Sequence, residues 1–364
     1  MTLPSSATVI LATTLCLFLA TTISLFALRS TFYVLSFIRR CLYKPRTKLI
    51  PPNSERVLIV GGSSGIGRAI ALLYARRGAR VCITGRREEE AVRVGEECAA
   101  VQVVEGLEGR QERVLGLGAD FTDPKQMVAL RETLEREWGG LDTIIVSAGV
   151  SALQPLMTLA GVEPGSNETS VPSVEGVERA SRIASAAVDG NYIGPLITAV
   201  TFIALLSQTS LSPSIHLISS LASSIPAPTR TIYASTKSAS LQLYRSLSIE
   251  HPAIGFSYTL PSTVEGDFRA GAVDASLGPL HEDDPNATTN TKSKGLKREY
   301  VAKKVVEIVD GSGKGGWARG QAVFVPAWYW WVQFVYAIWP GFVERRAARK
   351  YNFSPSTVSV KPKS

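Results

Sequence analysis

The chain has 364 residues, of which 45% are hydrophobic, and a formal net charge of +8 at pH 7. That length holds one large domain or two small ones, and so apolar a composition points to a membrane segment. The basic excess gathers beside an N-terminal apolar stretch and near the C-terminus (Arg345, Arg346, Arg349, Lys350, Lys361, Lys363). That distribution fits anionic lipid headgroups and argues against a nucleic-acid groove.

Ala7–Leu28 carries no charge. It exceeds the roughly 20 residues that cross a hydrocarbon core. A cleaved signal peptide is the rival, but no basic n-region precedes the run and no small-residue cleavage site follows it. Residues 1–50 are therefore expected to be an uncleaved single-pass anchor and a basic linker. Arg39, Arg40, Lys44, Arg46 and Lys48 all lie C-terminal to the anchor, which places the following domain in the cytosol by the positive-inside rule. The sequons at Asn167, Asn286 and Asn352 bear on this only if the domain is lumenal. Cys16, Cys41, Cys82 and Cys98 show neither metal nor disulfide spacing, so they read as small apolar residues and no metal is expected.

Pro51-Pro52 ends the linker, and a domain is expected over residues 51–326. Val57–Val60 has the length of a buried strand, a glycine-rich turn follows, and Ile66–Arg77 has helical periodicity. Arg80–Thr84 is a second strand and Glu88–Val104 a charged helix. Arg113–Leu117 is the third strand and Pro124–Trp138 a helix with Pro at its start. Thr143–Val146 is the fourth strand. Residues 154–176 read as an irregular insertion. Val177–Leu206 is a long helix, Ser214–Ile218 a strand, Tyr233–Glu250 a helix and Phe256–Leu260 a strand. Residues 276–296 are polar and breaker-rich, consistent with a loop. Tyr300–Val309 is a helix and Gln321–Val325 the last strand. Strands alternating with helices give an α/β fold, a doubly wound parallel sheet covered on both faces. Residues 327–364 form an aromatic segment and a basic tail. Ala327–Trp339 is too short to span a bilayer; it is an interfacial foot or a hydrophobic lid or dimer contact.

Strand, glycine turn, helix and strand over residues 55–87 make the half-unit that receives a dinucleotide pyrophosphate. Gly61, Ser63, Ser64, Gly65, Ile66 and Gly67 form the turn. The second strand ends Thr84-Gly85-Arg86-Arg87, with no acid before Glu88. A carboxylate there would bind a ribose 2′-hydroxyl, whereas a guanidinium suits a 2′-phosphate, so Arg86 points to NADP(H). Downstream, Tyr233 and Lys237 stand four residues apart on one helix face. An ammonium beside a phenol would lower the phenol's pKa towards the range of an acid–base catalyst. Ser220 precedes Tyr233 at a strand end, where its hydroxyl could hold a substrate oxygen. Tyr300 and Lys304 repeat the Tyr/Lys spacing, but Ala287 stands where a serine would be needed.

Gly61, Gly65-Ile-Gly67, Asp120, Ala148-Gly149, Asn191, Ser220 and Tyr233…Lys237, in this order, resemble the short-chain dehydrogenase/reductase superfamily over roughly Glu55–Pro326. The resemblance implies a Rossmann fold with Tyr233 as proton donor or acceptor. It implies that Lys237 tunes Tyr233 and binds the nicotinamide ribose, and that Ser220 orients the carbonyl. Asn191 would hold a relay water, Asp120 would contact the adenine, and Ala148 and Gly149 would line the cofactor. The chain departs from the family pattern at Val60 (usually Thr), Ser147 (usually Asn) and Pro261-Ser262 (usually Pro-Gly).

The Asn-Tyr-Ile-Gly and Ile-Ser-Ser-Leu-Ala runs look most like membrane-bound 11β-hydroxysteroid-dehydrogenase-like enzymes. The expectation is an NADP(H)-dependent oxidoreductase of the endoplasmic reticulum acting on a lipophilic carbonyl or secondary alcohol. 3-Ketosphinganine reductase is the enzymatic rival, and a non-catalytic NADP(H)-binding membrane scaffold the rival from another class. Many relatives dimerise through two long helices, here 177–206 and 233–250.

Overall fold

The computed structural model describes residues 46–102, 113–162, 171–277, 295–312, 318–351 and 353, with isolated helical positions between Thr14 and Thr31. Most of the anchor, Arg39, Arg40, Lys44, Cys16, Cys41, the three sequons and the end of the basic tail lie outside the described residues.

Seven short, largely apolar runs become strands: β1 (Arg56–Val60), β2 (Arg80–Gly85), β3 (Val114–Gly118), β4 (Thr143–Val146), β5 (Ser214–Ile218), β6 (Gly255–Pro261) and β7 (Ala322–Val325). They pair in one parallel sheet of order β3-β2-β1-β4-β5-β6-β7. Because successive side chains point to opposite faces, each central strand feeds two cores. Leu58, Val60, Ile144 and Val146 pack with Met127, Leu134, Phe202 and Tyr244 on one face. Val57, Ile59, Val81 and Ile145 pack with Ile70, Tyr74, Val94 and Val305 on the other.

The helices are α1 (Gly65–Arg76), α2 (Glu88–Val101), α3 (Pro124–Trp138), α4 (Leu156–Leu159), α5 (Val174–Val188), α6 (Gly194–Thr209), α7 (Thr231–Glu250), α8 (Arg298–Asp310), α9 (Tyr329–Ile338) and α10 (Pro340–Lys350). α3 shows why such boundaries are local. Asp123 accepts from the Lys125 and Gln126 amides, Pro124 needs no donor in the first turn, and Gly139 ends the helix at φ +67°. α2 stops at Val101 rather than at Val104, because Gln102 turns inward and donates to the Ala79 carbonyl. The 154–176 insertion is only partly irregular. It contains α4 and the start of α5, which Ser173 caps by accepting from Gly176.

The expected long helix runs from Val174 to Thr209, with one π turn at Asp189–Ile193. Among the described residues, this is the helix long and apolar enough to cross a membrane. Over half of its apolar window is buried in the domain, which makes it a core helix.

Arg46 overturns a sequence expectation. Counted as linker charge, it is 1% exposed and sits at the base of the sheet. It donates to the Ser212 and Asp142 carbonyls and the Thr143 hydroxyl, and pairs with Glu55. Arg77 pairs with the other Glu55 oxygen and with Asp310. Arg46 therefore packs as part of the domain, and this guanidinium is not available to lipid headgroups.

Candidate active site

In an open α/β sheet, ligands bind beyond the carboxyl ends of the strands, where the strand order reverses. Here the reversal lies between β1 and β4, so the turns after Val60 and Val146 form the crevice. Val60 supplies no side-chain tie, but its carbonyl accepts from both the Ser147 and Ala148 amides and holds the two turns together. Gly61 is held at φ +81°, and a Cβ there would meet the Ala148 backbone at 2.5 Å, so no other residue fits.

Ser63 is buried with its hydroxyl against Gly85 at the end of β2. Ser64 is the N-cap of α1, yet its side chain makes no capping hydrogen bond. The first-turn amides of α1 are thus left facing the crevice, with the positive end of the helix dipole behind them. Ile66 turns back onto the apolar face beneath the turn, and Gly67 is buried. Arg86 is exposed just past β2 and makes no ion pair or hydrogen bond among the described residues. Asp120 follows β3 and accepts from the Thr122 amide and hydroxyl through one oxygen. These features fit a dinucleotide with an extra phosphate at its ribose end.

The second cluster lies past β4 and β5. Asn191 sits in the π turn and is fully buried. Its amide donates to the Val150 carbonyl and the Thr236 hydroxyl, and its oxygen accepts from the Val150 amide. The side chain thus ties the β4 exit to α7, a structural task that the sequence did not reveal. Gly149 lies beneath two site residues: a Cβ there would stand 2.7 Å from Asn191 Oδ1 and 2.8 Å from Lys237 Nζ. Lys237 is 4% exposed and donates to the Ile218 carbonyl at 3.4 Å. Burial lowers its pKa to about 8.

Ser220 follows β5, accepts from the Ala222 amide and lies close enough to the Tyr233 hydroxyl to favour its ionised form. Tyr233 corrects a second expectation. Its pKa is raised, first by burial; the Ser220 hydroxyl and the Arg230 guanidinium pull the other way. Lys237 is not among the groups that act on the phenol, and burial draws its own pKa down to about 8. The repeat pair separates cleanly. Tyr300 is 44% exposed on α8, and Lys304 is ion-paired with Glu307, away from the crevice. Ser262 donates to the Val325 carbonyl, which fixes the start of the loop after β6 without glycine.

Sequence reading missed Arg230, Ser151 and Asp274. Arg230 is buried one turn before Tyr233 and donates to the Ser151 hydroxyl at 3.3 Å. Asp274 is buried and accepts from the Leu153 and Gln154 amides. An arginine three residues before the candidate tyrosine was the only available signal.

Comparison with known proteins settles the family. Residues 55–274 match the family model described as short chain dehydrogenase. The chain belongs to the short-chain dehydrogenase family. It is an oxidoreductase that interconverts CH–OH and C=O groups. Among this dehydrogenase's relatives, 11-beta-hydroxysteroid dehydrogenase-like 4A of Arabidopsis thaliana is 30% identical over 237 residues, 64% of this chain and 67% of that protein. 11-beta-hydroxysteroid dehydrogenase-like 3 of the same organism is 26% identical and covers 86% of both chains. In fold, the dehydrogenase matches an alcohol dehydrogenase from Thermococcus sibiricus complexed with 5-hydroxy-NADP. That match has a TM-score of 0.55 and 20% identity, and covers 74% of this chain and 96% of that one. ElxO with NADP bound matches at TM-score 0.56 and 20% identity, covering 76% of this chain and 99% of that one.

Proposed function

We propose that this short-chain dehydrogenase uses NADP(H) to interconvert a lipophilic carbonyl compound and its secondary alcohol at a membrane surface. The observation that carries the reading is the convergence of Ser220, Tyr233, Lys237 and Asn191 beside an uncapped glycine turn. The unpaired Arg86 just past β2 supports the phosphorylated cofactor, as do structural neighbours solved with NADP or an NADP derivative bound.

Bound NADPH would supply the hydride. Ser220 orients the carbonyl oxygen, and Tyr233 gives that oxygen its phenolic proton. A phenol kept protonated by burial is suited to the reducing direction. Lys237 holds ribose hydroxyls, and Asn191 carries the relay water while anchoring Val150. Gly61, Ser63, Ser64, Gly65, Ile66 and Gly67 cradle the pyrophosphate, Asp120 contacts the adenine, and Ala148 and Gly149 line the nicotinamide side.

A lipophilic substrate is supported by α9, which leaves β7 at the carboxyl edge of the sheet and exposes Trp330, Trp331, Phe334 and Ile338. Such a band fits the headgroup layer. The described anchor positions are helical, with Leu15 and Ile23 exposed, consistent with a segment that the domain does not cover. We place the anchor in the endoplasmic reticulum membrane with the domain in the cytosol. A homodimer would use α6 and α7, where Val200 and Ile249 are exposed.

The test is NADPH oxidation by membranes containing the full chain, with keto-steroids, retinal and 3-ketosphinganine, beside Tyr233→Phe. The proposal expects turnover of a lipid carbonyl, reduced about 10²- to 10⁴-fold in the variant while NADPH binding persists. Equal turnover in the variant would refute it.

A further inference from the structure

Arg230 is 6% exposed, and its Nε and Nη2 have no hydrogen-bond partner. No carboxylate lies within ion-pair distance of it among the described residues. A guanidinium has five donors and no acceptor, so a buried one without an anion is costly. Its surroundings do not explain it. Asp274 acts on it only weakly and forms no ion pair with it: its Oδ2 accepts from two amides at 2.7 Å, and its Oδ1 is likewise buried without a hydrogen-bond partner among the described residues. Arg269 acts on it as a like charge, and the Tyr351 and Tyr233 phenols are also near enough to act on it.

The backbone beside Arg230 is also unusual. Thr229 is held at φ +64°, the one non-glycine residue with positive φ among the described residues. Arg230 is the N-cap residue of α7, and no side chain caps that helix. A helix N-terminus disfavours a cation and welcomes an anion. Helix end, Arg230 and Arg269 therefore concentrate positive potential around one carboxylate. Tyr233 packs against a buried apolar cluster of Ala152, Leu159, Ala187 and Ile232, and the half-exposed Phe268 stands edge-on to it at 6.2 Å.

We propose that Arg230 receives an oxyanion group of the substrate, a carboxylate or a phosphate, about one helical turn (~5 Å) from the carbonyl that Tyr233 serves. The substrate is then an amphiphile: an apolar body against Phe268 and an oxyanion beside the reacting carbonyl. This rests on the reading of Tyr233 as the proton-handling group. The two unpaired nitrogens are closed off from solvent, so the oxyanion displaces what covers them. Tyr351, at the end of α10, is close enough to act on both Arg230 and Tyr233.

The experiment is a binding titration that needs no turnover. Full-length protein in neutral detergent, loaded with NADPH, is titrated with octanoate, octyl phosphate and octanol, following tryptophan fluorescence. Wild type is expected to bind one of the two anions about 10- to 100-fold more tightly than octanol, and the tighter anion identifies the group. Arg230→Met should erase the preference and leave octanol binding unchanged, while Arg230→Lys keeps part of it. If Arg230→Met does not fold, Arg230→Gln carries the same expectation. Three results overturn the proposal: no anion preference in wild type, an equal loss for all three ligands in the variant, or a variant restored by Asp274→Asn, which would make Arg230 only a counter-charge. If no lipid carbonyl is turned over but the charge preference persists and depends on Arg230, the reaction assigned above fails and this site stands.

Discussion

Gly149→Ala tests whether the packing beneath the site sets the chemistry. An added Cβ would stand 2.7 Å from Asn191 Oδ1 and 2.8 Å from Lys237 Nζ, whereas ordinary contact begins near 3.4 Å. At least one of the two groups must move by about half an ångström or more. Neither has open space to move into: Asn191 is buried with three hydrogen bonds, and Lys237, on α7, is also buried. The lysine has the weaker tie, one bond of 3.4 Å, so it should give way. A displacement approaching 1 Å at a catalytic group costs on the order of 10²-fold in rate. That corresponds to about 2.7 kcal/mol in the barrier. The assay is kcat for NADPH oxidation with the substrate found above, alongside thermal unfolding. The expected result is a kcat near 1% of wild type, with Tm within a few degrees. A kcat within threefold of wild type would refute the reasoning.

Arg46→Met should destabilise the domain by about 3–5 kcal/mol, because it removes one member of a buried ion pair. In a domain of this size that is about 6 to 20 °C in Tm, read by thermal unfolding in detergent; a change under 1 kcal/mol would return Arg46 to the status of a surface charge. The same variant should be more acid-sensitive. Burial raises the Glu55 pKa, but Arg46, Arg77 and Thr143 outweigh it, so the folded value lies below the ordinary one. Glu55 therefore stabilises the fold above its unfolded pKa and loses that contribution as pH falls through its folded pKa; without Arg46 the loss should begin at higher pH. Lys237 has the opposite sense. Its folded pKa of about 8 lies below the unfolded 10.5, so the unfolded chain binds more protons between those values. Stability should rise with pH across that window by up to about 3 kcal/mol, and denaturant titrations of Lys237→Met should lack the rise. Arg86→Asp should raise the NADPH Michaelis constant at least about tenfold and lower that for NADH; steady-state kinetics with both cofactors checks it, and an unchanged NADPH constant would remove Arg86 from the cofactor site.

The glycine turn, the Tyr233/Lys237 spacing and the order of strands and helices were legible in the chain because each is local. A strand needs a short β-branched run, α3 needs Asp123-Pro124 at one end and Gly139 at the other, and a tyrosine and lysine four apart share a helix face by geometry alone. Tertiary structure decided what depends on distant partners. Arg46 looks like its basic neighbours until Glu55, Asp142, Thr143 and Ser212 close around it from as far as 166 residues away. Asn191 has a family role in the sequence, but its hold on Val150 and Thr236 exists only once the π turn meets α7. The Tyr233 pKa follows burial and Arg230 rather than the lysine four residues on. Hydrogen-bond periodicity is written residue by residue, whereas desolvation and charge pairing belong to the three-dimensional neighbourhood, and that neighbourhood made a buried arginine the feature of the site that no motif announced.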